Sequence, residues 1–160
     1  MSKGKALGDG RLRELIASYL EEVKLMQLAT SVDDQPWVCS VWFAADEDLN
    51  VYWFSANNRR HSLEVDQNSR VAAAFALPNQ LPTDPPRGLQ LQGTASIVAE
   101  WSDLDAARAV YAGRIFTDER ITALMNHAER PHRFYKIEPT QFVLFDAVNF
   151  PDDPRQQLDL

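Results

Sequence analysis

The 160-residue sequence has one cysteine, Cys39, and three histidines, and this scarcity excludes several classes of site. A single cysteine can form neither an internal disulfide framework nor a thiolate cage for a metal. The chain also lacks the glycine patterns of P-loop and Rossmann nucleotide sites. No apolar run is long enough to cross a membrane, and the N-terminal residues do not resemble a signal peptide. We therefore expect a cytoplasmic protein that binds no metal.

Positive charge is also in short supply, with 16 lysines and arginines against 23 aspartates and glutamates. The resulting net charge of −7 argues against non-specific nucleic-acid binding, which needs a basic face, but it still allows one small basic pocket. A chain of this length is expected to form a single domain over residues 1–160. Within it, we expect a flexible leader at 1–10 and an extended tail at 150–160.

Hydrophobic periodicity predicts one amphipathic helix followed by short strands. The helix is predicted over 12–23, and two further helices precede the last strands, near 104–115 and 117–125. Strands are predicted at 25–30, 37–44, 51–55, 71–77, 88–98, 133–138 and 141–148. This order favours a mostly β fold with flanking helices, as a small closed or split barrel, with an open α+β sheet as the alternative. The proline-rich loop at 77–88 is our candidate for a segment that covers a site.

Three potential cations, Arg59, Arg60 and His61, open the helix predicted near 59–68. A helix start carries unpaired N–H groups and a partial positive charge, so two arginines there are locally unfavourable. Their position is explained if an anion such as phosphate binds in front of them. The alternative is a solvated helix face whose arginines form ion pairs with Glu64 or Asp66.

Strand parity limits which residues of the 37–44 strand can meet a ligand. Ser40 and Trp42 share one face, whereas Cys39, Val41 and Phe43 share the other. The aromatic residues are also good candidates for a core or a dimer interface. Cys39 is expected to be a small buried hydrophobe. A nucleophilic role would need a general base nearby, and the sequence indicates none.

Several motifs, in this order, resemble the FMN-binding split barrel of the pyridoxamine 5'-phosphate oxidase-like superfamily. They are Cys39-Ser40-Val41-Trp42-Phe43, Trp53-Phe54-Ser55, Arg60-His61, Asn68-Ser69-Arg70-Val71, the stretch from Arg87 to Ala95, and Phe134-Tyr135-Lys136-Ile137-Glu138-Pro139. The match covers most of the chain from residue 25 to about 148. It implies a six-stranded antiparallel split β-barrel of the FMN-binding type.

The resemblance further implies a homodimer with two FMN sites at the subunit interface. By position, Ser40, Val41 and Trp42 would line the flavin ring, and Phe54 and Ser55 would lie beside the ribityl chain. Arg60 and His61 match the family's phosphate-binding pair, beside Arg59, and Gln90 or Gln92 would come from the strand that crosses the dimer.

Three departures argue against a true pyridoxamine phosphate oxidase. His61 stands where such enzymes carry lysine, and Gly88 stands where they carry glutamine. The family's substrate-phosphate motif is matched only superficially by Arg130-Pro131-His132, which directly precedes the last-strand motif, so its spacing differs from that of the family. We therefore expect FMN binding rather than pyridoxal phosphate synthesis.

Three functions remain open at this point. The first is an FMN-dependent oxidoreductase that passes hydride between the flavin and a small organic substrate or reductant, with no protein nucleophile. The second is a non-catalytic flavin- or haem-binding module, and the third is a scaffold with a degenerate pocket. FMN is preferred over a deazaflavin or haem, and neither the substrate nor a catalytic residue is identified.

Overall fold

The computed structural model describes the backbone of residues 3–160 and the side chains of residues 8–160. Four helices and seven strands make up this part of the chain. Their order is α1 (Lys3–Glu22), β1 (Leu25–Val32), β2 (Gln35–Ala45), β3 (Val51–Ala56), α2 (Arg60–Gln67), β4 (Arg70–Ala76), β5 (Arg87–Ile97), α3 (Trp101–Tyr111), α4 (Asp118–Met125), β6 (His132–Asp146) and β7 (Arg155–Asp159).

Six strands close into a ring in which every neighbouring pair is antiparallel. The order around the ring is β1, β2, β3, β6, β5 and β4. Strand β7 pairs with residues 141–145 in the C-terminal half of β6. This arrangement confirms the six-stranded antiparallel fold with flanking helices that was predicted from the sequence. Helix α2 connects β3 to β4, and α3 and α4 lie between β5 and β6.

Helix α1 buries the apolar stripe that predicted it, including Leu12, Ile16, Leu20 and Val23. It begins at Lys3, inside the stretch expected to be a flexible leader. Arg114 stabilises the other end of α1 by donating hydrogen bonds to the carbonyl oxygens of residues 20, 21 and 23. No helix in the described part of the chain has the length and hydropathy needed to cross a membrane. The cytoplasmic location stays a prediction.

Two apolar clusters fill the fold. The larger one occupies the interior of the ring and includes Phe43, Trp53, Phe75 and Phe142. The smaller one lies on the opposite face of β3, where α3 and α4 pack, and contains Ala44, Tyr52, Phe54, Ala107, Tyr111, Ile121 and Phe134. Because alternate residues of β3 feed different clusters, the whole strand is buried.

The two last strands predicted from the sequence are a single strand, β6, and that prediction was wrong. The gap between the two predicted strands contains Pro139, but β6 continues through this residue with a register shift opposite Gln92 and Gly93. Gly93 makes this possible because a Cβ there would lie 2.4 Å from the carbonyl oxygen of Glu138. The bulge therefore accommodates a proline that the pairing could not otherwise include.

The C-terminal stretch, expected to be an extended tail, contains the short strand β7. Leu158 is its buried residue and pairs with Phe142 of β6. Before β7 the chain turns around Asp146, whose buried carboxylate accepts hydrogen bonds from Tyr19 and Asn149. This network ties α1 to the end of β6.

Candidate functional site

Pairing across the sheet places Ser40, Gln90 and Gln92 on one outer face of the ring. Residues directly opposite each other on paired strands share a face. One such row runs through Ser40, Gln27, Ala74, Gln90 and Val143, and the next runs through Val38, Ala29, Ala72, Gln92 and Gln141. We call these two rows the outer face.

The outer face is shallow because alanines form its centre. It contains a cavity of about 390 Å³, bordered on both sides by the longer side chains of Gln27, Gln90 and Gln92. The hydroxyl of Ser40 donates a 2.9 Å hydrogen bond to Oε1 of Gln27. Trp42 lies on the same face of β2 and is 50% exposed. The predicted parity of this strand is therefore confirmed.

The start of α2 has cations but no side-chain cap. Its N-cap residue is Arg59, whose side chain forms no capping hydrogen bond among the described residues. His61 follows, with Nε2 2.9 Å from the hydroxyl oxygen of Ser55 at the end of β3. Burial and the charge of Arg59 lower the pKa of His61, so the ring is neutral at pH 7 in this structure. Ser55 therefore contacts His61, the second residue of α2, and both lie close to Arg59.

Arg60 is fixed by two contacts on α2 and β2. Its Nε donates to Oε1 of Glu64 over 2.6 Å, which is the ion pair that the alternative interpretation of this helix expected. Its guanidinium carbon also lies 4.0 Å from the centre of the Trp37 ring. The terminal nitrogens of Arg60 have no hydrogen-bond partner within the described residues. The side chain is therefore oriented but retains its terminal donors.

Glu64 is the buried acid behind these cations. Thr30 on β1 donates to its second carboxylate oxygen, and this hydrogen bond, with the one from Arg60, outweighs burial and lowers its pKa. Burial of Cys39 itself and the negative charge of Glu64 raise the pKa of the Cys39 thiol to about 11. Cys39 is consequently a neutral, half-buried thiol, as expected of a small hydrophobe rather than a nucleophile.

The remaining predicted site residues lie elsewhere. Val41 points into the ring interior, and Phe54 packs in the smaller apolar cluster, where its ring centre is 4.5 Å from that of Phe134. Neither borders the cavity of the outer face. The proline-rich loop joins the end of β4 to β5, whereas α2 precedes the start of β4. It therefore does not lie over the cations of α2.

A second group of basic residues flanks the α2 start. The backbone N–H of Asn57 donates to the Pro131 carbonyl, which brings Arg130-Pro131-His132 beside the turn before α2. Nδ1 of His132 lies 3.1 Å from the carbonyl oxygen of Arg130. Burial, His127, Arg59 and Arg130 lower the pKa of His132. No cluster of three metal-ligating side chains occurs among the described residues.

Sequence reasoning identified the cations but missed the residues that orient them. Trp37 and Thr30 face each other across the β1–β2 pair, and both contact the Arg60–Glu64 unit. Glu64 was considered only as a surface partner, although its i, i+4 spacing from Arg60 was visible. Its burial depends on how α2 packs against β1, and no local pattern signals that packing.

The comparison with known proteins starts from a family model. The model described as pyridoxamine 5'-phosphate oxidase matches residues 12–145, which is most of the chain. The chain belongs to the pyridoxamine 5'-phosphate oxidase family. No curated protein matches the sequence.

Solved structures with this fold include proteins with differing descriptions. A haem-binding protein from Mycobacterium smegmatis superposes with a TM-score of 0.75 at 13% identity, over 92% of this chain and 57% of that one. General Stress Protein 26 from Bacillus anthracis str. Sterne gives 0.66 at 16%, over 93% and 98%. HutZ, the haem storage protein from Vibrio cholerae, gives 0.64 at 20%, over 79% and 88%.

These identities show a shared fold and no more. The chain spans little more than half of the mycobacterial protein's length, at 57%. Since solved structures that share this fold include haem-binding proteins, the fold does not by itself select the cofactor.

Proposed function

We propose that this family member is an FMN-binding flavoprotein that passes hydride between the flavin and a small organic substrate or reductant. The observation that carries the proposal is the α2 start, where Arg59 and Arg60 adjoin an uncapped first turn and His61 contacts Ser55. A helix start with free N–H groups and adjacent guanidinium groups is a favourable site for a phosphate. Family membership makes a flavin phosphate the appropriate anion.

The residues present fit a phosphate group in three respects. Arg60 retains its terminal N–H donors, because its contact with Glu64 uses Nε. Trp37 and Glu64 already hold the guanidinium in place, so little conformational entropy is lost on binding. His61 is neutral, and a phosphate beside it would favour its protonated form.

FMN, when bound, would supply the hydride-accepting chemistry, and the chain would supply anchoring, orientation and control of access. Arg59 and Arg60 would neutralise the phosphate, and Ser55 would hold the His61 ring in place. Cys39 is not suited to act as a nucleophile, because burial and Glu64 keep it as a thiol. This set of residues suits electron and hydride transfer without a covalent protein intermediate.

We also propose that the outer face is covered by a second copy of the chain. The face exposes Val38 at 58% and Trp42 at 50%, next to a floor of alanines. Side chains this short allow two sheets to approach closely, and exposed aromatic and aliphatic residues favour association. In such a homodimer Gln90 and Gln92 of one copy would meet the other copy's β2. Sedimentation equilibrium should give twice the mass of one chain for the parent protein. For Trp42→Glu it should give the mass of a single chain.

Replacing Arg60 tests the phosphate assignment. We expect Arg60→Ala to weaken FMN binding by about 1.5–3 kcal/mol, the usual contribution of a charge-assisted hydrogen bond. Titration of the FMN-free protein, followed by flavin fluorescence, measures the change. Arg13→Ala on α1 is the matched control, since it removes one positive charge away from α2 and should leave the affinity unchanged.

Because Arg60 also neutralises Glu64, its loss could act through the fold. The double variant Arg60→Ala/Glu64→Gln removes the unpaired buried carboxylate and should show the same loss of FMN affinity as Arg60→Ala. An affinity that returns to the parent value in the double variant would show that Arg60 serves Glu64 and not a phosphate.

Haem binding is the second candidate, and His132 favours it. A protonated Nδ1 can donate to the Arg130 carbonyl, which would leave Nε2 as a free lone pair. The lowered pKa keeps the ring neutral, as an axial ligand requires. A Soret band that appears on haemin addition and is lost in His132→Ala would support this function over flavin binding.

A further inference from the structure

Helices α3 and α4 leave a groove between them. The groove has a volume of about 320 Å³, and its lining comes from α3 (Trp101, Leu104, Asp105, Arg108) and from α4 and its C-cap (Thr122, Met125, Asn126). Within each helix these residues recur at positions i, i+3 and i+4, so each set forms one stripe on the helix surface. The lining shares no residue with the cavity of the outer face or with the start of α2.

Arg108 connects the two stripes across the groove. Its Nη2 donates to Oδ1 of Asp118 over 2.6 Å and to Oγ1 of Thr122 over 2.9 Å, and its Nε donates to the same carboxylate oxygen over 3.1 Å. Its Nη1 donates to the sulfur of Met125 over 3.5 Å. The charge of Arg108 is therefore paired with that of Asp118, and its donors are directed toward α4.

Asp105 is the acidic residue of the lining, and its carboxylate is unpaired. It forms neither an ion pair nor a hydrogen bond within the described part of the chain. Asp105 lies four residues after Trp101 on α3, so the two side chains are neighbours on one stripe. Because Arg108 is paired with Asp118, the carboxylate of Asp105 leaves the groove with a negative charge.

Trp101 provides an aromatic surface beside this carboxylate. It is 81% exposed, more than any other large hydrophobic residue in the described part of the chain. Leu104 and Met125 are half-buried in the same groove and pack against the smaller apolar cluster. The face of an indole ring attracts cations more strongly than the rings of tyrosine or phenylalanine. The lining thus combines two groups that favour a cation with an apolar surface.

We propose that this groove binds a small organic cation, a primary amine or a guanidine on a short apolar chain. The cationic group lies between the ring of Trp101 and the carboxylate of Asp105, and the chain packs against Leu104 and Met125. Charge complementarity selects this class, because Asp105 would repel an anion and would stay unpaired beside a neutral molecule. The volume is at the lower end of the range for ligand sites, which suits a molecule of few heavy atoms. The proposal depends neither on flavin binding at α2 nor on the proposed dimer.

A lysine or arginine side chain from a second copy is the competing occupant, since it carries the same type of cation on an apolar stem. The dimer proposed above buries the outer face, which shares no residue with the lining of the groove. A contact between copies at α3 and α4 would therefore require a second, separate interface. For that reason we favour a small molecule.

The experiment measures binding of n-pentylamine to the full chain by isothermal titration calorimetry at neutral pH, where the amine is protonated. The uncharged probe of the same length is 1-pentanol. We expect saturable binding of pentylamine with one site per chain, and no saturable binding of 1-pentanol over the same concentrations. Asp105→Asn and Trp101→Ala should each weaken pentylamine binding about fivefold. Asp103→Asn is the matched control, because it removes an exposed carboxylate of the same helix that does not line the groove.

Tryptophan fluorescence gives a second measurement that depends on the position of the cation. Pentylamine should change the emission of the parent protein, and Trp101→Phe should abolish that change, since the other three tryptophans lie outside the groove. Circular dichroism of each variant checks that the fold is retained. Absence of saturable pentylamine binding, or equal binding of 1-pentanol, would overturn the proposal, as would equal weakening in Asp103→Asn. A reduced mass of Trp101→Ala in sedimentation equilibrium would assign the groove to a second copy and would also overturn it.

Discussion

Replacing Asp146 tests whether the end of β6 is fixed by one buried carboxylate. The side chain is fully buried and accepts hydrogen bonds from the Tyr19 hydroxyl at 2.8 Å and the Asn149 side-chain amide at 2.7 Å. It also accepts from the backbone N–H groups of Val148 at 3.0 Å and Asn149 at 2.8 Å. These bonds join helix α1, strand β6 and the turn that leads to β7.

The loss of unfolding free energy follows from how many hydrogen bonds to Asp146 are removed and how many buried donors are left unpaired. Tyr19→Phe removes one bond to a charged acceptor and should cost about 1–2 kcal/mol of unfolding free energy. Asp146→Asn keeps the shape but removes the charge and sets an amide N–H₂ group against existing donors. We expect a loss of about 3 kcal/mol, since unsatisfied buried groups each cost roughly 1–3 kcal/mol.

Urea unfolding of the parent, both single variants and the double variant gives the coupling energy between the two side chains. We expect about 1 kcal/mol of coupling, because the Tyr19 hydroxyl loses its value once the carboxylate has gone. Strictly additive losses would refute the idea that these groups act through one hydrogen bond. Ser18→Ala, an exposed change on the same helix, should alter stability by no more than about 0.5 kcal/mol.

Acid should remove the same contribution. Hydrogen bonds from Asn149, Tyr19 and Val148 together outweigh burial and lower the pKa of Asp146. A carboxyl whose pKa is lower in the folded state stabilises the protein above its unfolded pKa, and this stabilisation disappears as pH falls through the folded value. The stability difference between the parent and Asp146→Asn should therefore shrink below about pH 4, the region of the unfolded pKa.

Two further predictions concern His61 and Gly93. FMN affinity should decline as pH rises. The decline should lie between the lowered pKa of His61 in the FMN-free protein and the raised pKa expected when a phosphate lies beside it. His61→Gln should lose this part of the pH profile. The same curve measured on His61→Gln also corrects for titration of the FMN phosphate, and two superimposable curves would contradict the assignment. Gly93→Ala should destabilise by about 2–3 kcal/mol in urea unfolding, because its Cβ would meet the Glu138 carbonyl oxygen at 2.4 Å. Gly88→Ala on the same strand is the control and should change little, and similar losses in both would exclude a steric cause.

The fold was largely predictable because its signals are local. The alternation of β5 and the apolar stripe of α1 fixed both elements, and strand parity correctly separated Trp42 from Val41. Strand β7 was missed because its pattern offers a single buried residue, Leu158, among polar neighbours. The prediction of two separate strands at 133–138 and 141–148 was wrong because β6 accommodates Pro139 through Gly93, which lies 46 positions earlier in the sequence.

The candidate site was only partly predictable, for a similar reason. Arg59, Arg60 and His61 are adjacent in sequence, so their clustering needed no tertiary information. The partners that orient them, Trp37 and Thr30, come from β1 and β2 and depend on the packing of α2. Strand parity also could not show that Phe54 faces a second apolar cluster rather than a ligand, since that cluster exists only once α3 and α4 have packed.

The α2 cations and the predicted residues of the outer face lie on opposite sides of β2, which bears on whether one chain can form the proposed site. Arg60 lies against Trp37, which shares a face of β2 with Cys39 and Val41, whereas Ser40 lies on the opposite face with Gln92. The strand thus separates the cations at the start of α2 from the glutamines of the same chain. A flavin anchored at α2 would reach glutamine side chains most directly if a second copy presented its own outer face across β2. The proposed dimer and the proposed flavin site are therefore linked, and a protein that bound FMN tightly as a monomer would contradict their connection.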